Sequence, residues 1–158
     1  MTSLIVIIVI AVVLFSLGFI TNRRFGLRGL ALAAGAMIAT LWVGDLTPII
    51  ARTGFELSTP PLESVIAVVL TLLPAFLVLS SGQPNKSKLQ RTFGSLLFAL
   101  LAVTLLLEPI GAALVIESPG DKLYAFMAEY RVVTITACLI AAILDLIFTK
   151  TPKIPSKH

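Results

Sequence analysis

Residues 29–50 read GLALAAGAMIATLWVGDLTPII, and this stretch decides the fold. It is apolar over the roughly 20 residues that an α-helix needs to cross a hydrocarbon core. Ala31, Gly35 and Ala39 recur at four-residue spacing, which places small side chains on one helix face and lets a neighbouring backbone come close. A single acid, Asp45, stands near its end, just before Thr47-Pro48.

Outward from this segment the chain repeats its character. Apolar stretches also cover residues 4–20, 62–79, 93–116 and 132–148. None alternates with period two as a barrel strand does, and continuous apolarity predicts spanning helices. The whole chain of 158 residues is 58% hydrophobic and 13% charged, with mean hydropathy +1.04. Soluble domains average about 45–50% apolar and about 25% charged. The expectation is an all-α, polytopic transmembrane bundle of about five spanning helices. It forms one domain over residues 1–149, followed by a basic tail over 150–158. The first twenty residues lack a basic side chain ahead of their core and are followed by Arg23 and Arg24, so they read as a retained helix and not a cleavable signal.

Charge orients the helices. Arg23, Arg24 and Arg28 fall after the first stretch, Lys86, Lys88 and Arg91 after the third, and Lys150, Lys153 and Lys157 in the tail. No acid lies among these nine of the twelve basic residues. The other two connections mix Arg52, Lys122 and Arg131 with Glu56, Glu63, Glu117, Asp121 and Glu129. Basic connections remain cytoplasmic. The N-terminus is therefore expected outside and the C-terminus in the cytoplasm, with the chain as a multi-pass cell-membrane protein. A net charge of +4 distributed in this way implies lipid as the partner and no nucleic acid.

The outer connections carry helix signals. Thr47 reads as an N-cap with Pro48 at the first helical position and Gly54 as a stop. Pro60-Pro61 sets a sharp entry to the third helix, with Glu63 in its first turn. Ser118-Pro119 starts a further amphipathic segment, with Leu123, Phe126, Met127 and Tyr130 at helical spacing. It reads either as a helix lying in the outer interface or as an extension of the last span. Trp42, Tyr124 and Tyr130 are placed as outer belt residues. Pro74 should kink the third helix.

Three acids lie within the apolar stretches, and intramembrane ionisable residues are candidate functional groups. Asp45 and Glu108 sit about 24 Å and about 23 Å from the inner ends of their segments, at one level, each beside a proline. They are the candidate ion- or proton-binding pair; hydration, or pairing with Arg52 or Arg131, is the plainer alternative. Asp145 sits near the opposite end, about 18–20 Å from Asp45 along the membrane normal, which excludes a two-aspartate proteolytic centre. It is expected to snorkel or to pair with the tail. Small residues recur again at Cys138 and Ala142 of the last stretch, after Thr134. With Ala31, Gly35 and Ala39 they form the candidate helix-packing interface, either within the chain or toward a partner.

The remaining residue types bound the chemistry. The single histidine is His158 and the single cysteine is Cys138, so neither a disulfide nor a His/Cys metal site is expected, and no cofactor is implied. No nucleophile–base constellation or phosphate-binding loop occurs. An enzyme is not expected.

The first connection adds a resemblance. Gly18-Phe19, then Arg23-Arg24-Phe25-Gly26-Leu27-Arg28-Gly29-Leu30, form a helix, a Gly- and Arg-rich turn and a small-residue helix. This resembles the colicin V production protein family of bacterial inner-membrane proteins, and LQRTFGSLLFALL from Leu89 is a second echo. The resemblance covers the first sixty residues and that short segment. The chain departs from the family in lacking an acid near the start of the first span and in adding a fifth span. The resemblance implies a bacterial inner-membrane protein with an accessory role in export or envelope homeostasis. Two functions are thus in view. One is a non-enzymatic accessory or scaffolding subunit that works with other membrane proteins or with a second copy of itself. The other is a small transporter or channel using Asp45 and Glu108.

Overall fold

The computed structural model describes residues 2–21, 24–54, 60–78, 88–113 and 118–148, and it is all-α. Six helices follow in order: α1 (Thr2–Thr21), α2 (Phe25–Ala51), α3 (Leu62–Leu77), α4 (Lys88–Ala113), α5 (Ser118–Glu129) and α6 (Arg131–Ile147). The basic tail over 150–158, span positions 79 and 114–116, and Arg23, Glu56, Lys86 and Glu117 lie outside the described residues.

Helix α4 is the centre. It touches each of the other five helices, and Ser95, Phe98, Leu101, Ala102, Thr104 and Leu106 along it are buried. Helix α1 lies mainly on α4, while α2 packs chiefly on α3 and then on α6. The core joins Leu14, Phe25, Leu32, Ala75, Phe98, Leu101, Cys138 and Ala142 across five helices.

Small residues set how closely the helices approach. A Cβ on Gly35 would stand 2.9 Å from the Leu70 carbonyl oxygen and collide with the Thr71 carbonyl, so α2 and α3 cross backbone to backbone there. A Cβ on Gly26 would come within 2.6 Å of the Ala142 carbonyl oxygen on α6. Gly35, Ala39, Cys138 and Ala142 are buried and Ala31 is half-buried, so these positions face neighbours within the chain.

Several hydroxyls inside the helices are satisfied locally. Thr21, Thr47, Ser95, Thr104 and Thr136 each donate to the carbonyl four residues earlier, at 2.6–2.8 Å. Thr47 is thereby corrected: it does not cap a new helix. Its hydroxyl bonds the Val43 carbonyl, α2 runs through Pro48 to Ala51, and Gly54 with φ 86° ends the turn as expected. The third helix starts as expected, with Pro61 at its N-cap and Glu63 in its first turn. Pro74 falls in its last turn, four residues before the Val78 cap.

The count of full-length spans is also corrected. Among the described residues two helices, Phe25–Ala51 and Lys88–Ala112, are long and apolar enough to cross a bilayer; the Ile7–Thr21 part of the 20-residue α1 and Leu62–Leu77 are apolar but shorter. The last helix, expected over 132–148, has 17 residues, and a turn at Tyr130 separates it from α5. Helix α5 is a distinct element that also leans on α1 and α4, with Tyr124 packed against Gly111.

Candidate functional site

Helices α2, α3 and α4 leave a cleft of ≈ 480 Å³ between them, at the end of the bundle where α3 begins. Ligand pockets run from about 300 to 1,000 Å³. The space exists because the facing positions are small: Ala36, Ala39 and Gly44 on α2, Ala67 on α3 and Ala112 on α4. From Ala36 to Gly44 the cleft extends about 12 Å along the helix axis. Val43, Leu105 and Pro109 complete its apolar wall.

Its mouth is charged. Pro61 fixes the start of α3 and so holds Glu63 in the first turn, where the helix dipole favours a carboxylate. Glu108 is one turn from the end of α4, and its Oε2 accepts a 2.8 Å hydrogen bond from Arg131 Nη2 at the start of α6. That ion pair is open to solvent, with the Glu108 side chain 67% exposed. Glu63 lines the same mouth and is exposed, with no hydrogen bond or ion pair among the described residues. Two carboxylates and one guanidinium leave the mouth with one uncompensated negative charge.

Two hydroxyls mark the floor. Ser64 and Thr71 are 5% and 3% exposed and both line the cleft. Unlike the back-bonded hydroxyls elsewhere, neither makes a hydrogen bond among the described residues. They stand seven residues apart on one face of α3, about 10 Å along its axis. The residues are buried as wholes, but their hydroxyl oxygens keep access to the cleft, where water or a ligand can bond them.

The expected pair is divided. Glu108 lines the cleft; Asp45 is exposed on α2 and is absent from the cleft lining. The structure groups Glu108 with Glu63 and Arg131 instead. Glu63 was legible only as a dipole complement, because sequence alone does not show which faces of α3 and α4 converge.

Asp145 has a different task at the opposite end. Its Oδ2 accepts a 2.8 Å hydrogen bond from the Gly26 backbone N–H, at the α2 N-terminus. Helix α2 has no acid in its first turn and no side-chain cap of its own, so α6 supplies both the acceptor and the charge. Arg28 is fully buried beside it. Its Nη1 donates to the Gly18 carbonyl at 3.1 Å, its Nε to the Arg24 carbonyl at 3.2 Å, and its guanidinium lies 5.5 Å from the Phe98 ring centroid. Arg91 closes this end over α1, donating to the Phe19 carbonyl at 2.6 Å with its guanidinium 3.9 Å from the Phe19 ring. These arginines read in sequence as connection charges; α2 starts at Phe25, which draws Arg28 into its first turn. Asp145 was expected to snorkel or to pair with the tail, which lies outside the described residues; its depth, at the same end as Gly26, was the one sequence signal for the contact seen.

Comparison with known proteins finds no matching family, no similar curated protein and no similar solved structure. The likeness to the colicin V production family therefore rests on the first connection and the segment from Leu89 alone.

Proposed function

We propose that the chain is a polytopic membrane protein, working as a non-catalytic accessory or scaffolding subunit. The observation that supports this reading most is α2. It is long and apolar enough to span, yet only 22% of its most apolar stretch is buried. A core helix of a soluble protein hides such a surface, and soluble monomers rarely expose contiguous apolar patches beyond a few hundred Å². Met37, Leu41 and Trp42 on α2, Val69 and Leu73 on α3, and Ile140, Ile143 and Ile147 on α6 are all exposed, which suits hydrocarbon as the solvent.

In this reading α1, α3 and α6 also cross. The 20 residues of α1 are enough to span, and flanking residues and local bilayer thinning accommodate the shorter α3 and α6. Helix α5 lies along the outer surface. Orientation follows from charge: Arg24, Lys88 and Arg91 gather at the Arg28 end, which faces the cytoplasm, and Glu63 and Glu108 mark the outer end. Ion-coupled transport by Asp45 and Glu108 draws less support, since the cleft takes only one of them and Arg131 already holds it.

Alkaline carbonate extraction of cells expressing the chain, followed by mass measurement in mild detergent, tests both parts. The protein should stay in the membrane pellet and migrate with partners or as an oligomer. Release into the supernatant would refute the membrane reading, and a strictly monomeric species without partners would refute the accessory role.

A further inference from the structure

The cleft mouth offers both signs of charge and the cleft body offers an apolar groove, a combination suited to an amphiphile with a zwitterionic head. We infer that the cleft is a binding site for one phospholipid with an ethanolamine-type headgroup. The inference rests on the membrane reading above. Glu63 receives the ammonium group, Arg131 receives the phosphate, and one acyl chain lies along the small-residue wall past Ala67.

Charge selects among headgroups. The mouth already carries one excess negative charge at Glu63, so a purely anionic head adds a second charge with no counterpart. A zwitterion meets Glu63 with its cation, and the remaining donors of Arg131 with its anion. A guanidinium carries five N–H donors, and the Glu108 hydrogen bond uses one of them. Phosphate also gains from the N-terminus of the 16-residue α3, whose first N–H groups lie beside Glu63. A primary ammonium has N–H donors for a carboxylate, whereas a trimethylammonium has none, so ethanolamine is preferred over choline.

Two hydroxyls open to the cleft add polar groups that a lipid can use. Ser64 and Thr71 are more than nine-tenths buried, line the cleft and have no hydrogen-bond partner among the described residues. Ser64, next to Glu63, reaches the headgroup, and Thr71 reaches the ester region or glycerol oxygens of a lipid lowered into the groove. The volume of ≈ 480 Å³ suits one acyl chain.

Native mass spectrometry of the full chain in mild detergent tests this, with phosphatidylethanolamine, phosphatidylcholine and phosphatidylglycerol of identical acyl chains as probes. The expected result is one ethanolamine lipid retained about tenfold better than either other lipid, the worth of one charge-assisted hydrogen bond. E63Q should reduce that retention to the choline level, and A67F should weaken retention of all three. Circular dichroism checks that both variants keep their helicity; if A67F does not, E63Q alone still decides. Equal or better retention of phosphatidylglycerol, several lipids bound without preference, or a preference that survives E63Q would overturn the inference. Carbonate extraction reads the membrane assignment separately, so a chain that stays in the membrane but shows no lipid preference fails this inference alone.

Discussion

At one end of the bundle Arg28 is fully buried and Asp145 bonds the α2 backbone; at the other, Glu63 and Glu108 stand open at the mouth of a cleft. Both ends hold charge in an apolar chain, and the difference lies in what the charges touch. Around Arg28 the acceptors are main-chain carbonyls of α1 and the α2 start, so the charges tie three helices together. Around Glu63 the neighbours are a void, two hydroxyls without a hydrogen bond among the described residues and one solvent-open ion pair. Buried charge bonded to backbone is architecture; charge beside unfilled space is available for binding.

Substitutions should separate the two ends by size of effect. R28L should be the most damaging, because it strips the hydrogen bonds from the Gly18 and Arg24 carbonyls and leaves Asp145 without its cationic neighbour. Breaking a buried charged network of this kind costs about 3–5 kcal/mol. A large drop in the unfolding midpoint in detergent is the expected readout, and near-normal stability would erase the contrast between the ends. G35A comes next. Its new methyl group collides with the α3 backbone at Thr71, and overpacking of this kind costs about 1–3 kcal/mol. The same substitution at Gly44, which has nothing within 4 Å, should be stabilising or neutral, so the pair reads packing apart from helix propensity.

D145A should cost at least about 1–2 kcal/mol for the helix cap and its dipole interaction, and more because it also removes a carboxylate near the buried Arg28. Amide hydrogen exchange should rise at Gly26 and the first turn of α2 while the rest of the bundle is unchanged. At the open end E108Q should shift stability by no more than about 1 kcal/mol, the range for exposed ion pairs. A loss as large as that of R28L would mean that the Glu108–Arg131 pair is architectural too.

The same contrast explains what could be read before the structure. The helices were legible because each is a long apolar run bounded by Gly, Pro or basic residues, and periodicity survives without knowledge of neighbours. The Pro61 entry and the Gly54 stop depend on local backbone chemistry and were read correctly. Thr47-Pro48 misled because the same dipeptide can start a helix or lie in one, and the Val43 carbonyl won the hydroxyl. Spanning length was overestimated at the third stretch, where Val78 caps the helix inside the apolar run, while the last stretch, expected over 132–148, matches the 17 residues of α6. The cleft was the least legible part. Glu63, Glu108 and Arg131 come from three helices, and their meeting depends on helix rotations that no single segment encodes. Asp45 and Glu108 share a level yet not a face, a distinction that depth cannot make.

The membrane orientation is the claim on which the comparison of the two ends depends. Single cysteines in a C138S background read it directly, with T53C at the cleft end and K88C at the Arg28 end, both exposed. In intact cells a membrane-impermeant maleimide should label T53C and spare K88C, and permeabilisation should make K88C reactive. Labelling of K88C but not T53C would invert the topology, and equal labelling of both before permeabilisation would contradict a bilayer between the two ends.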